Sequence, residues 1–278
     1  MRSFILFGFF LFNFLFVRLN AKIEVYDCFL FCNELDILTI RLYEMNEAVD
    51  KFVIVESIET FRGNPKPLHF KNNAQLFEKF KDKIIHVVVD QHYDTNNPWE
   101  RESFQRNQIM RGLISCKDND LIFISDVDEI VKKDDMTSIY SSLLGGGHSV
   151  VGVSHRYHSN FLNSVPSLEL WRGTVITQYK NLQNSTPQSL RGMKDQVPSV
   201  AGGWHFSWVG GIEKQLYKLG AYSHAESDTP EMRASKQRGA EQNHLCPIIK
   251  VDESFPAYVV ENQKYFEEIG LIYKKGEK

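Results

Sequence analysis

The sequence predicts an α/β domain built on a mostly parallel sheet flanked by helices, and three observations carry that expectation. Ile23 to Phe31 (IEVYDCFLF) is a β-branched and aromatic run in which Asp27 is the only charge after Glu24. Leu35, Leu38, Leu42 and Met45 then recur at helical spacing, and Lys51 to Val55 (KFVIV) forms a second short apolar run. A strand–helix–strand order of this kind favours parallel pairing through a right-handed crossover. The third observation is Leu121-Ile122-Phe123-Ile124, four apolar residues that read as a strand buried on both faces. It runs straight into Ser125-Asp126-Val127-Asp128-Glu129.

The remaining elements follow in order. Asn33 is placed as the N-cap of the first helix. Phe61 to Pro67 is a loop by its Gly and Pro content, Ala74 to Phe80 a short helix, and Ile84 to Val89 a third strand. Trp99 to Leu113 reads as a helix with Pro98 near its start. Lys132 to Leu144 reads as another, stopped by Gly145-Gly146-Gly147. Ser149 to His155 and Trp171 to Gln178 are further strands, and Tyr179 to Ser199 is a polar stretch. Gly202-Gly203-Trp204-His205-Phe206-Ser207-Trp208 and Gly210-Gly211 point to close backbone approach and a stacking surface. An amphipathic tail covers Tyr265 to Ile272. Without an internal repeat or a low-complexity linker, residues 22–278 are expected to form one domain.

Composition narrows the function. The 278 residues are 42% hydrophobic and 24% charged, with a net charge of −3. No basic stripe interleaved with aromatics is present, which argues against a nucleic-acid partner. Phe4 to Val17 is almost unbroken apolar sequence between Arg2 and Arg18. As a helix it would span about 21 Å, short of a bilayer core of about 30 Å. Residues 1–21 therefore read as a signal peptide or a short membrane anchor, the only expected membrane contact. The destination is the secretory pathway, either the Golgi lumen or, after cleavage, the exterior. Cys28, Cys32, Cys116 and Cys246 would meet an oxidising lumen there, and four cysteines allow three pairings. Four residues apart in an extended strand is about 13 Å, which disfavours Cys28 with Cys32. Asn184-Ser185-Thr186 is an N-glycosylation sequon weakened by Pro187.

The carboxylates at the end of the fourth apolar run are the chemical centre. Residues i and i+2 of a strand share a face, so Asp126 and Asp128 would lie roughly 6.5 Å apart. Two such groups at the C-terminal edge of a parallel sheet, where open α/β folds bind ligands, repel unless a cation lies between them. A hard divalent ion sharing its shell with substrate phosphates fits; acidic residues that merely open a turn are the plain alternative. Arg101 and Arg106, with Glu102, crowd a helix start against the macrodipole, which an anionic partner or simple Arg–Glu pairing would explain.

Taken together, the segments resemble a known family. They are Cys28-Phe29-Leu30-Phe31 with Asn33-Glu34-Leu35-Asp36, Val49 to Ser57, Thr60-Phe61-Arg62-Gly63 and Lys66-Pro67-Leu68. Trp99-Glu100-Arg101-Glu102, Gln105-Arg106-Asn107, Ser125 to Ile130 and Gly203 to Ser207 complete the set. In this order they resemble glycosyltransferase family 17 across about residues 24 to 270. The resemblance implies a GT-A type, Rossmann-like fold. It also implies an inverting, metal-dependent transfer of N-acetylglucosamine from UDP-N-acetylglucosamine to a glycan, the β-mannose of an N-glycan core. Asp126-Val127-Asp128 would be the DxD motif, with Mn²⁺ or Mg²⁺ held directly by Asp128 and with Asp126 acting through water or the ribose; His205 or His224 could add a third ligand, His205 being preferred for its Gly-Trp-His-Phe setting.

Other roles follow from the same resemblance. Arg101 and Arg106 would hold the diphosphate, and Asn33, Glu34 and Glu56 the nucleoside. Trp204 and Trp208 would offer rings to a sugar, although core packing explains such residues equally well. The base that takes the acceptor proton is sought among Asp195, Glu213 and Glu226, with Asp195 preferred for its place before the glycine–tryptophan segment. Two rivals remain: a silent, lectin-like glycan binder, and a haloacid-dehalogenase-type phosphatase in which Asp126 would be the nucleophile. The second needs its motif near the start of the domain, and here a long β-α pattern precedes it.

Overall fold

The computed structural model describes residues 22–242 and 246–274. The expected N-terminal leader lies outside them, and among the described residues no helix is long and apolar enough to cross a membrane. Eight strands form one sheet in the order β3-β2-β1-β4-β7-β6-β8-β5. The strands are β1 (Val25–Phe31), β2 (Lys51–Ser57), β3 (Ile84–Val89) and β4 (Leu121–Asp126), then β5 (Glu129–Ile130), β6 (Val150–Ser159), β7 (Leu170–Gln178) and β8 (Ser199–Ser207). The first four pair parallel. β7 joins β4 antiparallel, β6 joins β7 antiparallel, β8 lies parallel to β6, and the short β5 closes the far edge antiparallel to β8.

The helices are α1 (Leu35–Met45), α2 (His69–Asn72), α3 (Pro98–Asn107), α4 (Met136–Tyr140), α5 (Pro187–Arg191), α6 (Gly211–Ala221), α7 (Pro230–Gln242), α8 (Ala257–Glu261) and α9 (Gln263–Glu268). The central strands split their side chains between two cores by the period of two. Phe29, Phe52, Ile54 and Phe123 join Leu38, Leu42, Val259 and Phe266 on one face. Tyr26, Cys28, Val53, Val55, Ile122 and Ile124 join Ile109, Leu113 and Leu190 on the other. This double burial is why β1, β2 and β4 read as continuous apolar runs. All four cysteines are free.

Three local expectations are corrected. Asn33 does not cap α1; Glu34 holds the N-cap position, and its carboxylate turns back to accept from the amides of Cys32 at 3.1 Å and Asn33 at 2.9 Å. The helix expected over 99–113 ends at Asn107 and tightens into a 3₁₀ turn over Gln108–Gly112. A Cβ at Gly112 would stand 2.4 Å from a Val53 methyl, so the turn packs directly on β2. The helix expected over 132–144 is broken into a 3₁₀ turn, α4 and a π turn. At Gly203, with φ of +73°, a Cβ would lie 2.0 Å from the Ile130 carbonyl oxygen, so only glycine lets β8 approach β5 this closely.

The fold carries an acid-sensitive group away from the carboxylates. His158 on β6 is fully buried and donates from Nδ1 to the Leu162 carbonyl at 2.6 Å, while its Nε2 has no hydrogen-bond partner among the described residues. Burial pushes its pKa down to about 4, against the opposing pull of the Leu162 carbonyl. The unfolded chain takes up this proton near pH 6.5 and the folded chain does not. Stability is therefore full above about pH 6.5 and falls by as much as about 3 kcal/mol as the pH drops toward 4. Urea denaturation from pH 7 to 4.5 is expected to show a shallower decline for His158→Gln than for the wild type; parallel declines would refute this assignment.

Candidate active site at the β4–β5 turn

Asp126, Val127 and Asp128 turn the chain from β4 into β5, and one buried side chain holds that turn. Arg41 from α1 is 1% exposed. Its Nη1 donates to the carbonyls of Asp126 at 2.9 Å, Val127 at 3.2 Å and Glu129 at 2.9 Å. Nε and Nη2 grip the two oxygens of buried Asp27 at 2.8 and 2.5 Å, and Nη2 also reaches Ser125 Oγ at 2.6 Å. The guanidinium stacks 4.2 Å over Phe29. From the other side, the Phe206 amide of β8 donates to the Asp128 carbonyl at 2.8 Å.

The two carboxylates meet different partners. Asp126 is gripped by guanidinium groups, Arg106 Nη1 at 2.8 Å and Arg191 Nη2 at 3.4 Å. Burial alone would raise its pKa, but those two charges hold it well below the usual carboxylate range. Asp128 is 5% exposed and faces Lys218 Nζ at 3.0 Å and His205 Nε2 at 3.6 Å. Burial again works upward, and the Lys218 ammonium, with the hydrogen bonds Asp128 accepts, outweighs it. Behind them Glu129 accepts from the Asp126 amide at 3.1 Å, from Arg191 at 2.6 Å and from the Trp171 indole at 2.9 Å. A Cβ at Gly173 would lie 2.8 Å from the Glu129 carboxyl carbon, so this ion-pair layer packs against bare backbone.

An open cleft of about 350 Å³ adjoins Asp128, lined among others by Asn33, Glu34, Trp208, Lys214 and Lys218. It lies at the C-terminal ends of β1 and β4, the edge where parallel sheets take ligands. Lys214 and Lys218 stand one turn apart on α6, and Lys236 of α7 lies 4.1 Å over the Trp208 ring. Lys214 is paired with Asp36 at 2.8 Å. Trp208 itself has a left-handed backbone with φ of +60°, rare for a bulky residue. The cleft is thus a basic-walled hollow with one buried carboxylate, chemistry that suits a diphosphate.

The donor set was tested against a divalent ion. Asp128 Oδ1 and His205 Nε2 lie 3.6 Å apart, and His205 Nδ1 is buried without a hydrogen-bond partner among the described residues. Among the described residues no three His, Cys, Asp or Glu side chains gather into a full metal cage. The residues present fit an ion bound through one or two side chains with phosphate oxygens completing its shell, the usual habit of Mg²⁺ and Mn²⁺ at nucleotides.

The expected site residues scatter unevenly around this cleft. Asn33, Glu34, Asp128 and His205 come together, and Trp208 lines the same hollow. Arg106 reaches the motif, but by pairing with Asp126 and Glu102. Arg101, Glu56, Trp204 and Glu226 are placed away from it, against expectation, and Glu213 and Asp195 lie on the surface. Arg101 spends its guanidinium on Glu59 and on the carbonyls of Phe61, Tyr93 and Thr95, so it fastens loops. Glu56 is fully buried, accepting from the Phe70 and Lys71 amides at the start of α2 and from His86. Trp204 is 3% exposed and donates to the Ser254 carbonyl at 3.0 Å, which puts it in the core rather than under a sugar. Glu226 sits in an exposed pair with His224. Glu213 is exposed on the first turn of α6. Asp195 is exposed before β8, paired with Lys194 at 3.2 Å.

Sequence reasoning missed Arg41, Arg191, Lys214, Lys218 and Trp171. The two lysines had a legible signal, an i, i+4 pair on an amphipathic helix opened by Gly210-Gly211.

Residues 15–270 match glycosyltransferase family 17. The chain belongs to that family. Among curated relatives, the human β-1,4-mannosyl-glycoprotein 4-β-N-acetylglucosaminyltransferase is 30% identical over 220 residues, covering 67% of this chain and 41% of that protein. The rat protein of the same name is 24% identical over 220 residues, covering 67% and 40%. This family 17 chain thus matches about two fifths of the length of those relatives. Among solved structures, the mannosyltransferase PcManGT of Pyrobaculum calidifontis, in complex with GDP-Man and Mn²⁺, aligns with a TM-score of 0.44 at 12% identity, covering 88% of this chain and 70% of that one.

Proposed function

We propose that this chain is an inverting glycosyltransferase that moves N-acetylglucosamine from UDP-N-acetylglucosamine to a glycan acceptor, the β-mannose of an N-glycan core. The observation that carries the reading is the cleft in which Asp128 of the strand-end motif faces Lys218 and His205, in a family 17 chain. Asn33 and Glu34 would meet the nucleoside, and Lys214 and Lys218 the diphosphate. Asp128 and His205 would hold Mn²⁺ or Mg²⁺. When bound, such an ion supplies Lewis-acid stabilisation of the charge that develops on the departing diphosphate.

In the transfer, an acceptor hydroxyl oxygen attacks the anomeric carbon as the bond from that carbon to the phosphate oxygen breaks. The bonding pair leaves with UDP, and the hydroxyl proton goes to a carboxylate, for which Asp195 is the choice. Lys218 places a fixed positive charge at the cleft and needs no reorganisation to meet the leaving group. The apolar N-terminal run supports action in the secretory pathway, as a Golgi lumenal or secreted protein, with that run as the membrane contact.

The test is UDP release by purified protein from a panel of UDP-sugars with Mn²⁺, with and without an N-glycan acceptor. Acceptor-dependent release from UDP-N-acetylglucosamine alone supports the reading; glycan binding with no turnover, or phosphatase activity without sugar nucleotide, overturns it. Asp195→Asn is expected to abolish transfer, by about 10³-fold, while UDP binding stays within about twofold. Near-normal transfer by that variant would remove Asp195 from the role.

A further inference from the structure

The face of the sheet beside Asp128 carries a group of rings that the transfer chemistry above does not use. Side chains opposite one another on neighbouring strands share a face. The register sets Glu129 of β5 opposite His205 of β8, His205 opposite Tyr157 of β6, and Trp171 of β7 opposite His155 of β6. Three rings consequently meet. Trp171 lies 4.8 Å from His205 and 6.1 Å from Tyr157, the latter stacked at 28°, and Tyr157 lies 5.4 Å from His205.

Two features make this more than core packing. Trp171 is 40% exposed, yet its indole N–H is fixed by Glu129, so a ring held by its edge still reaches solvent. Besides the two rings, the Lys194 ammonium lies over it, Nζ at 4.9 Å from the centroid, and Lys194 is also the partner of Asp195. The neighbouring Leu168 is 93% exposed and Leu170 48%, an apolar rim of the kind that marks an interaction site. The platform also touches the reaction centre, because buried His205 packs on Trp171 while its Nε2 faces Asp128, which lines the cleft. His205 Nδ1 and Arg191 Nε are buried polar atoms without a hydrogen-bond partner among the described residues.

We infer that Trp171, with Tyr157 beside it, is the stacking platform for a pyranose ring of the acceptor glycan. The inference rests on the proposed transfer and names the acceptor side of that site. A pyranose carries polarised C–H groups on one face and hydroxyls at its rim. The C–H face suits the negative face of the indole, which in the free protein attracts the Lys194 ammonium. A sugar seated there displaces Lys194 and leaves Asp195 beside the acceptor hydroxyls. Trp171 is a binding residue in this account and Glu129 its positioning residue.

The experiment compares wild type, Trp171→Ala and Trp171→Phe for KM of a free N-glycan acceptor, KM of UDP-N-acetylglucosamine, acceptor-independent UDP release and thermal melting. Trp171→Ala is expected to raise the acceptor KM about tenfold or more, and by at least about fivefold more than it changes the donor KM. Trp171→Phe, which keeps a ring but loses the bond to Glu129, is expected to retain most acceptor affinity. An unchanged acceptor KM in Trp171→Ala overturns the inference. So does a Phe variant as impaired as Ala in donor KM and kcat alike, since Trp171 would then only prop Glu129. If the wild type transfers nothing, the proposed function has failed, and calorimetric titration with the same glycan tests the platform alone. Binding lost in Trp171→Ala sustains it, and equal binding refutes it.

Discussion

Asp128→Asn is expected to lower UDP release from the donor by about 10³-fold, the scale set by losing a preorganised charge at a reaction centre. Asparagine keeps the shape of the side chain, so the change isolates charge. In the native turn Asp128 is the anion beside Lys218, and that charge, the largest effect opposing burial, keeps it ionised. Without it, Lys218 loses its closest counter-charge, and the donor set for a divalent ion shrinks to the His205 imidazole. Asp126→Asn is the informative control. Asp126 is 42% exposed in its side chain and spent on Arg106 and Arg191, so its loss is expected to cost at least about tenfold less than that of Asp128. Saturating-donor assays of both variants decide the point. A change under about tenfold in Asp128→Asn would take this carboxylate out of the reaction centre.

The parts of this molecule that show in the sequence are those set by local period. β3 has the bounds its β-branched run predicts, and β1, β2 and β4 betray their double burial by having few polar positions. What does not show depends on distant pairing. Arg41 sits mid-helix among apolar residues, and its purpose appears only when the fold brings the turn at 126–129 against it. Arg101 and Arg106 look alike in sequence, five residues apart on one helix. One meets loop carbonyls and the other Asp126, a difference made by what packs against each face of α3. Trp204 and Trp171 differ in exposure for a similar reason. The glycine-rich setting of Trp204 signals close approach of β8 to β5, which buries the ring, whereas Trp171 stands where β7 emerges from the sheet.

Arg41→Met is expected to destabilise the protein by about 3–5 kcal/mol, the usual cost of removing one partner from a buried ion pair. Arg41 and Asp27 are both 1% exposed, so the orphaned carboxylate would have no water to turn to. Arg41→Lys is not expected to rescue, because an ammonium lacks the planar fork that grips both Asp27 oxygens while it reaches three carbonyls. A second change separates the two duties of this side chain. In Asp27→Leu/Arg41→Met the buried charge is gone with its partner, and stability should recover most of the loss, since apolar replacement of a buried pair is often neutral. The carbonyls of Asp126, Val127 and Glu129 still lack their donor in that double variant. The turn that aims Asp128 then lacks its hold from α1, and UDP release should stay depressed by about 10²-fold, as misplacement of a reacting group costs. Urea denaturation and donor turnover measured on the same three variants test both duties at once. Recovery of stability together with full turnover would mean that Arg41 serves the core alone; recovery of stability without turnover ties the buried arginine to the geometry of the site.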